Sequence, residues 1–291
     1  MLENYIILTG AFNEEKNIER TIQSVVKQSI LPKEWIIIND GSKDDTEQIL
    51  KAYSKKYSWI KYFNLPNENV PFGTHAVNNF YRSFEKITFF HWQFVVKLDA
   101  DLDIDKDNFF EYQFVKFKDN LKLGISSGIT YSTHTGKKVL TKGRPYWRTG
   151  GAMKVYRREC FEQIGGLKPI YGWDGLDEYL AMYNGWKTRT FFELHVNHLG
   201  KLRALDREKT ISLAKYKGES LYKRGYPIEF VLIKSLTYLK MSREHQKAFL
   251  KGYFSSKRDM IKQYVSAKEK SFIRKIQYLR IIDKLMRKKL L

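Results

Sequence analysis

The chain of 291 residues has room for one large domain or two ordinary ones, and with 43% hydrophobic and 15% aromatic residues it is too apolar for disorder. Its formal charge of +20 is lopsided: residues 201–291 hold 25 Lys and Arg against 8 Asp and Glu, which puts the basic partner surface at the C-terminal end. A lone cysteine, Cys160, excludes an internal disulfide and fits a reducing compartment. No charged-then-apolar leader opens the sequence and no run of about 18 apolar residues occurs; the nearest, 226–241, carries Glu229, Lys234 and Lys240. The expectation is a cytoplasmic chain without a spanning helix.

Tyr5 to Thr9 reads as a short apolar strand, and Asn13 then offers an N-cap, with Glu14 and Glu15 in the first turn of a helix running to about residue 28. Trp35 to Asn39 is a second strand. Asp40-Gly41-Ser42 makes the turn after it, with Ser42 as cap and Asp44 and Asp45 in the first turn of the next helix. Ile60 to Asn64 is a weaker strand. A loop punctuated by Pro66, Pro71 and Gly73 leads to a helix over 74–85 and then to a strand at 92–98. Strand and helix thus alternate at close spacing, which predicts a parallel sheet with right-handed crossovers and ligands at the carboxyl ends of its strands.

That rule gathers three stretches into one crevice: Gly10 to Glu14, Asp40-Gly41-Ser42, and the acids Asp99, Asp101 and Asp103 that follow the apolar run FVVKL. Uncompensated acids at alternate positions repel one another, so a divalent cation with a taste for oxygen ligands, Mg or Mn, is the natural third party; the plainer alternative is a solvated acidic loop. Asp40 beside Gly41 suits a carboxylate that accepts hydrogen bonds from a base or ribose, or an ordinary turn. No P-loop and no dinucleotide glycine fingerprint is present, which leaves phosphate binding to the metal.

With these residues in place, the sequence resembles glycosyltransferase family 2, the inverting enzymes of the GT-A fold. LTGAFNEEKNIERTIQSVVKQ looks like the family's first strand, turn and helix, with Phe12 for the usual Tyr; IINDGSKDDT looks like its Asp-Asp-Gly-Ser segment, with Asn39 in the first Asp position; and KLDAD matches its Asp-x-Asp metal motif. The resemblance, over roughly 3–200, implies an α/β GT-A (Rossmann-like) mostly parallel sheet flanked by helices. It implies further that Gly10, Ala11, Phe12 and Glu14 cradle the nucleoside, that Asp40 contacts the base, that Asp99 faces the ribose and diphosphate, and that Asp101 holds the metal. Thr74 follows Gly73 where the family often has a basic residue, although Ala76-Val77-Asn78 still looks like its Ala-x-Asn.

Residues 124–153 are rich in Gly, Thr and Ser and read as strands and loops, with Arg148 before Gly150-Gly151 as a candidate ligand approach. YRRECFEQIGGL looks like the family's helix before Gly-Gly-Phe. Trp173 and Asp174 then open a helix that carries Asp177 and Glu178 one turn on. Acids here serve a helix dipole in any protein; the family places its general base in this turn. Alignment on Gly185-Trp186-Lys187 favours Asp174, with Asp177 second and Glu178 third, and Trp173 stands where the family has Glu. After the next strand, His195 and His198 are candidates for the imidazole that the family often adds to its metal site, and His198 is preferred.

From 206 the pattern is helical and basic, with Tyr264, Ile273, Ile276, Leu279, Ile282 and Leu285 at helical spacing among Lys and Arg. Such helices suit an anionic lipid surface, a packed helical cap or a nucleic-acid patch, and the first is preferred by analogy with lipid-linked acceptors. The expected organisation is a catalytic domain over 1–205, with a nucleotide half (1–103) and an acceptor half (104–205), followed by a basic helical region over 206–291. The expected function is metal-dependent inverting transfer of a sugar from a nucleoside diphosphate sugar, UDP-linked by preference, to a hydroxyl of a cell-surface glycan or lipid-linked saccharide. Mn or Mg would be the cofactor, the inner face of the cell membrane the site of peripheral attachment, and no nucleic acid is expected. The rival is a catalytically inactive basic protein that uses the same fold to bind nucleic acid or acidic glycan. A sugar-nucleotide pyrophosphorylase is a weaker third reading, since it would want a glycine-rich N-terminal signature.

Overall fold

The computed structural model describes residues 4–133, 138–140, 145–200 and 206–289, with side chains as far as 279. The chain divides into two compact units, Met1–Pro169 with Asn184–Leu202, and Ile170–Tyr183 with Arg203–Leu291.

The first unit is built on a mixed sheet. Its strands are β1 (Tyr5–Ala11), β2 (Glu34–Asp40), β3 (Ile60–Leu65), β4 (Phe94–Leu98), β5 (Leu102–Ile104), β6 (Leu123–Ser132), β7 (Val139–Leu140), β8 (Met153–Arg157) and β9 (Lys187–His198). They lie in the order β3-β2-β1-β4-β8-β6-β9-β5, with β7 on β6. The quartet β3-β2-β1-β4 is parallel, as the strand and helix alternation predicts, and β8 then joins β4 antiparallel. The chain moves outward from β1 in one direction through β2 and β3 and in the other through β4, so the strand order reverses beside β1. Its carboxyl end is therefore a crevice.

Helices α1 (Ile18–Val26), α2 (Thr46–Lys56), α3 (His75–Phe84), α4 (Phe109–Asp119) and α5 (Arg158–Gln163) complete this unit. Ile18, Ile22 and Val25 of α1 and Phe109, Phe110, Phe114 and Phe117 of α4 share a buried cluster with Tyr5, Ile7, Trp35, Ile37, Phe94 and Val96. Each such side chain contributes roughly 1.5–3 kcal/mol by leaving water. Strands β1, β2 and β4 are buried on both faces, hence their unbroken apolar runs in the sequence. On β1 and β2, α3 packs with Val77 and Phe80 inward.

Two expected helix starts move. Asn13 has φ +55° and lies outside α1; its N–H donates to Ser42 Oγ (2.9 Å) and its Oδ1 accepts from Lys43 N–H (2.8 Å). Ser42 is thereby occupied as well, and α2 begins at Thr46, whose N–H (3.1 Å) and hydroxyl (2.6 Å) both donate to Asp44 Oδ1. A cross-turn partner outcompetes each local cap.

The second unit holds α6 (Trp173–Tyr183), α7 (Arg207–Lys223), α8 (Ile228–Leu239), α9 (Arg243–Arg258) and α10 (Ala267–Lys289). Asp206 caps α7 by accepting from Lys209 N–H at 2.8 Å. Ser266 and Glu269 close a capping box on α10. Helices α7 and α9 meet backbone to backbone: a Cβ on Gly218 would overlap the carbonyl of Phe249, and one on Gly252 that of Lys215. On α10 the described part of the apolar repeat divides, Ile273 being buried and Leu279 exposed. Ile273 and Gln277 are buried, Gln277 Nε2 donates to Tyr179 Oη (2.8 Å) and Tyr226 Oη (3.1 Å), and Phe272 packs edge-on against Tyr183. Ile282 and Leu285 lie outside the described side chains. Among the described residues no helix is long and apolar enough to cross a membrane.

Candidate functional site

The carboxyl ends of β1 and β2 are tied into one rim. Beyond the two bonds at Asn13, Glu14 N–H donates to Thr46 Oγ1 (2.7 Å) and Glu15 N–H to Asp44 Oδ2 (3.1 Å). Burial pushes the Asp44 carboxyl up, but the bonds from Glu15 N–H and from Thr46 outweigh it and hold the group below the usual aspartate range. The rim therefore presents Gly10, Ala11, Phe12 and Glu14 from a fixed backbone. Ala11 is buried, Glu14 half-buried and Phe12 exposed, with its ring at the surface.

Asp40, at the end of β2, is 3% exposed. Arg82 Nη1 donates to its Oδ1 at 2.6 Å, and Asn67 Nδ2 (3.0 Å) and Asn79 Nδ2 (2.9 Å) donate to its Oδ2. Three of a carboxylate's roughly four acceptor directions are filled, which leaves about one for a ligand. Arg82 is itself fixed by Asn79 Oδ1 (3.1 Å) and the Pro66 carbonyl (2.8 Å). Gly10 makes the arrangement possible, since a Cβ there would stand 2.6 Å from that of Asn79. Asn79 and Arg82 were not singled out from the sequence. Their spacing of three on the buried side of α3 was the available signal, and only the fold shows that Asp40 lies opposite. Thr74 is buried and donates its hydroxyl to the Pro71 carbonyl (2.6 Å), while Asn78 Nδ2 turns to Glu68 (3.0 Å).

The acids after β4 separate. Thr21 on α1 pins their turn, donating to the Ala100 carbonyl (2.8 Å) and accepting from Leu102 N–H (3.1 Å). Asp103 swings to Arg20 Nη2 at 2.5 Å, so the third acid of the sequence triplet serves a surface ion pair. Asp99 accepts from Lys97 Nζ, which also donates to the Gly151 carbonyl (2.8 Å). Asp101 Oδ2 lies 3.7 Å from His198 Nε2. His198 reaches it because β9 pairs with β5 and sets His198 opposite Leu102. His195 instead meets Lys138 Nζ through its Nδ1 at 2.9 Å.

Burial, followed by the charge of Asp99, pushes the Asp101 carboxyl above the usual range despite His198. Glu14 is likewise raised, by burial first and then by Asp101, Asp99 and Asp44, against a hydrogen bond from Asn17. Glu14, Asp99 and Asp101 thus form one field of mutually repelling acids at the carboxyl ends of β1 and β4. A carboxylate and an imidazole 3.7 Å apart have the chemistry that a divalent cation such as Mn accepts, so Asp101 and His198 would be the residues to hold one. Among the described residues no group of three or more His, Cys, Asp or Glu is arranged around a common ion.

Arg148 to Ala152 runs past this field. Its Ala152 carbonyl accepts from Asp99 N–H (2.9 Å), and Thr188 and Thr190 on β9 donate to the Trp147 and Arg148 carbonyls at 2.6 and 2.5 Å. The three base candidates all fall on α6, in the second unit. Asp174 is half-exposed in its first turn, whereas Asp177 and Glu178 are buried, and Asp177 Oδ1 accepts from Glu178 N–H at 2.7 Å.

Comparison with known proteins identifies the family and the fold. The sequence model of the family described as Glycosyl transferase family 2 matches residues 6–167. Poly-beta-1,6-N-acetyl-D-glucosamine synthase of Staphylococcus epidermidis is 34% identical over 127 residues, covering 44% of this chain and 28% of that protein, so the chain matches well under half the length of this relative. Among solved structures, S. aureus TarS 1-349 in complex with UDP superposes with a TM-score of 0.55 at 13% identity, over 88% of this chain and 92% of that one. The mannosyltransferase PcManGT from Pyrobaculum calidifontis, in complex with GDP-Man and Mn2+, gives 0.54 at 12% identity, over 97% and 81%. At these identities the two structures share the fold.

Proposed function

The chain belongs to glycosyltransferase family 2, and from that membership we propose that it moves a sugar from a nucleoside diphosphate sugar, UDP-linked, to a hydroxyl of a cell-surface glycan or lipid-linked saccharide, with inversion at the anomeric carbon. The observation that carries this reading is the acidic field of Glu14, Asp99 and Asp101 beside His198, at the strand ends where β1 and β4 part. The UDP in the TarS complex and the GDP-Man and Mn2+ in the mannosyltransferase complex support a nucleotide donor and a divalent ion on this fold.

In this reading the rim from Gly10 to Glu14 and the remaining acceptor direction of Asp40 receive the nucleoside, and Asp99 faces the ribose and diphosphate. Asp101 and His198 would hold Mn or Mg, which when bound offsets the charge that gathers on the departing diphosphate. Asp174 takes the proton of the acceptor hydroxyl as its oxygen bonds to the anomeric carbon and the bond to the diphosphate breaks. What supports Asp174 over Asp177 and Glu178 is access to solvent, since the other two are buried.

The test is a turnover panel of UDP- and GDP-sugars, each with Mn, with Mg and with a chelator, read as release of the nucleoside diphosphate. Release of UDP that requires the metal supports the proposal and names the donor. Metal-independent release, or none from any donor together with salt-sensitive binding to RNA, DNA or acidic polymer, overturns it in favour of a binding protein.

A further inference from the structure

Among the described residues of the C-terminal region, α8 gathers four exposed large aliphatic side chains on one helix, whereas on α10 Ile273 is buried and Leu279 is exposed. Val231, Ser235 and Tyr238 form the buried side of α8. On the opposite side Leu232, Ile233, Leu236 and Leu239 are exposed, followed by Met241, each between 42 and 59%. Side chains at these spacings share one face of a helix, so this face is almost wholly apolar and points outward. The one acid on α8, Glu229, is paired with Arg274 at 3.1 Å. Lys240 ends the stripe and is exposed.

We infer that α8 is an in-plane anchor that lays its Leu232, Ile233, Leu236 and Leu239 face into an anionic lipid bilayer. Three observations select this occupant. Twelve residues make a helix of about 18 Å, too short to span a hydrocarbon core of about 30 Å but suited to lying in its surface. Residues 201–291 carry a net charge of +17, which an anionic surface attracts. A second copy of this chain would bring the same positive field against itself, which disfavours a symmetric dimer through this face. The inference goes beyond the proposed transfer reaction and uses none of its residues.

The test is co-sedimentation of the full chain, without nucleotide, with vesicles of phosphatidylcholine alone and with added phosphatidylglycerol. The wild type is expected to pellet with the anionic vesicles, and L232Q/L236Q to lose about tenfold or more of that partitioning. Circular dichroism checks that the double variant is folded. A second readout needs no apolar-to-polar change: because the single native Cys160 is fully buried, an environment-sensitive dye can be attached selectively in Leu236→Cys. Its emission should shift to the blue on anionic vesicles. Absence of pelleting, equal pelleting of wild type and double variant, or an unshifted dye overturns the inference. So does a dimer in light scattering that L232Q/L236Q disperses, which would assign the face to a second copy. Because nucleotide plays no part, failure here leaves the donor reading standing.

Discussion

Arg82→Met tests the claim that Asp40 is held by an internal network before any nucleotide arrives. Arg82 and Asp40 pair at 2.6 Å with side-chain exposures of 10 and 4%, so removing the guanidinium strands a buried carboxylate. Breaking such a pair costs about 3–5 kcal/mol. Asp40 keeps the Asn67 and Asn79 amides on Oδ2, which places this case at the lower end, near ~3 kcal/mol. In urea that is a fall in midpoint of roughly 1 M or somewhat more. Asp40→Asn combined with Arg82→Met removes the stranded charge and should be more stable than Arg82→Met alone, giving a favourable coupling of about 1–3 kcal/mol in a double-mutant cycle. The assay is urea unfolding followed by fluorescence and circular dichroism. A midpoint change below about 0.3 M, or additivity of the two substitutions, would refute the network as described.

Four further outcomes follow from other parts of the chain. A Cβ at Gly200 would overlap Asp101 Oδ2 and stand 3.3 Å from His198 Cε1, so Gly200→Ala should cost less than about 1 kcal/mol in unfolding yet weaken Mn binding about 10- to 100-fold, as calorimetry would show. Gly252→Ala meets backbone instead, at the Lys215 carbonyl, and should destabilise by about 2–4 kcal/mol in thermal and urea unfolding while donor binding is unchanged. Burial raises the Glu34 carboxyl, but Lys61, Thr88 and the Phe89 N–H outweigh it and bring it below 4.5. Its contribution is therefore complete above the unfolded value and lost as pH falls through the lower folded one. Unfolding midpoints measured from pH 7 to 3 should drop more steeply below about 4.5 for the wild type than for Glu34→Gln, with the two curves converging in acid. Asp174→Asn should lower kcat by about 10²- to 10⁴-fold with donor affinity intact, and an unchanged kcat would move the base to Asp177 or Glu178.

Much of the sheet was legible because parallel strands buried on both faces leave unbroken apolar runs, such as YIILTGA, EWIIIND and FVVKL, separated by helical spacings. That the turns after β1 and β4 lie at the carboxyl ends of neighbouring parallel strands could be read for the same reason. The sequence misled where a side chain had a choice of partner. Asn13 and Ser42 have the chemistry of helix caps, yet each found the other's turn, 29 residues away. Asp103 repeats the spacing of Asp99 and Asp101, but a strand of alternate side chains cannot say which of them Arg20 will meet. Asn79 and Arg82 depend on α3 lying across β1 and β2, a contact of some 40 residues' separation that no local pattern encodes. On α10 the apolar spacing was visible, but periodicity does not say which of its members pack, as Ile273 does, and which stay exposed, as Leu279 does.

The most direct measurement of the central claim is calorimetric titration of the donor sugar nucleotide into the wild type and into Asp101→Asn, each with Mn and with a chelator. The account predicts binding to the wild type with Mn, and loss of that binding both on chelation and in Asp101→Asn. Equal affinity in all four conditions would contradict it, because the acidic field of Glu14, Asp99 and Asp101 would then have no part in holding the donor.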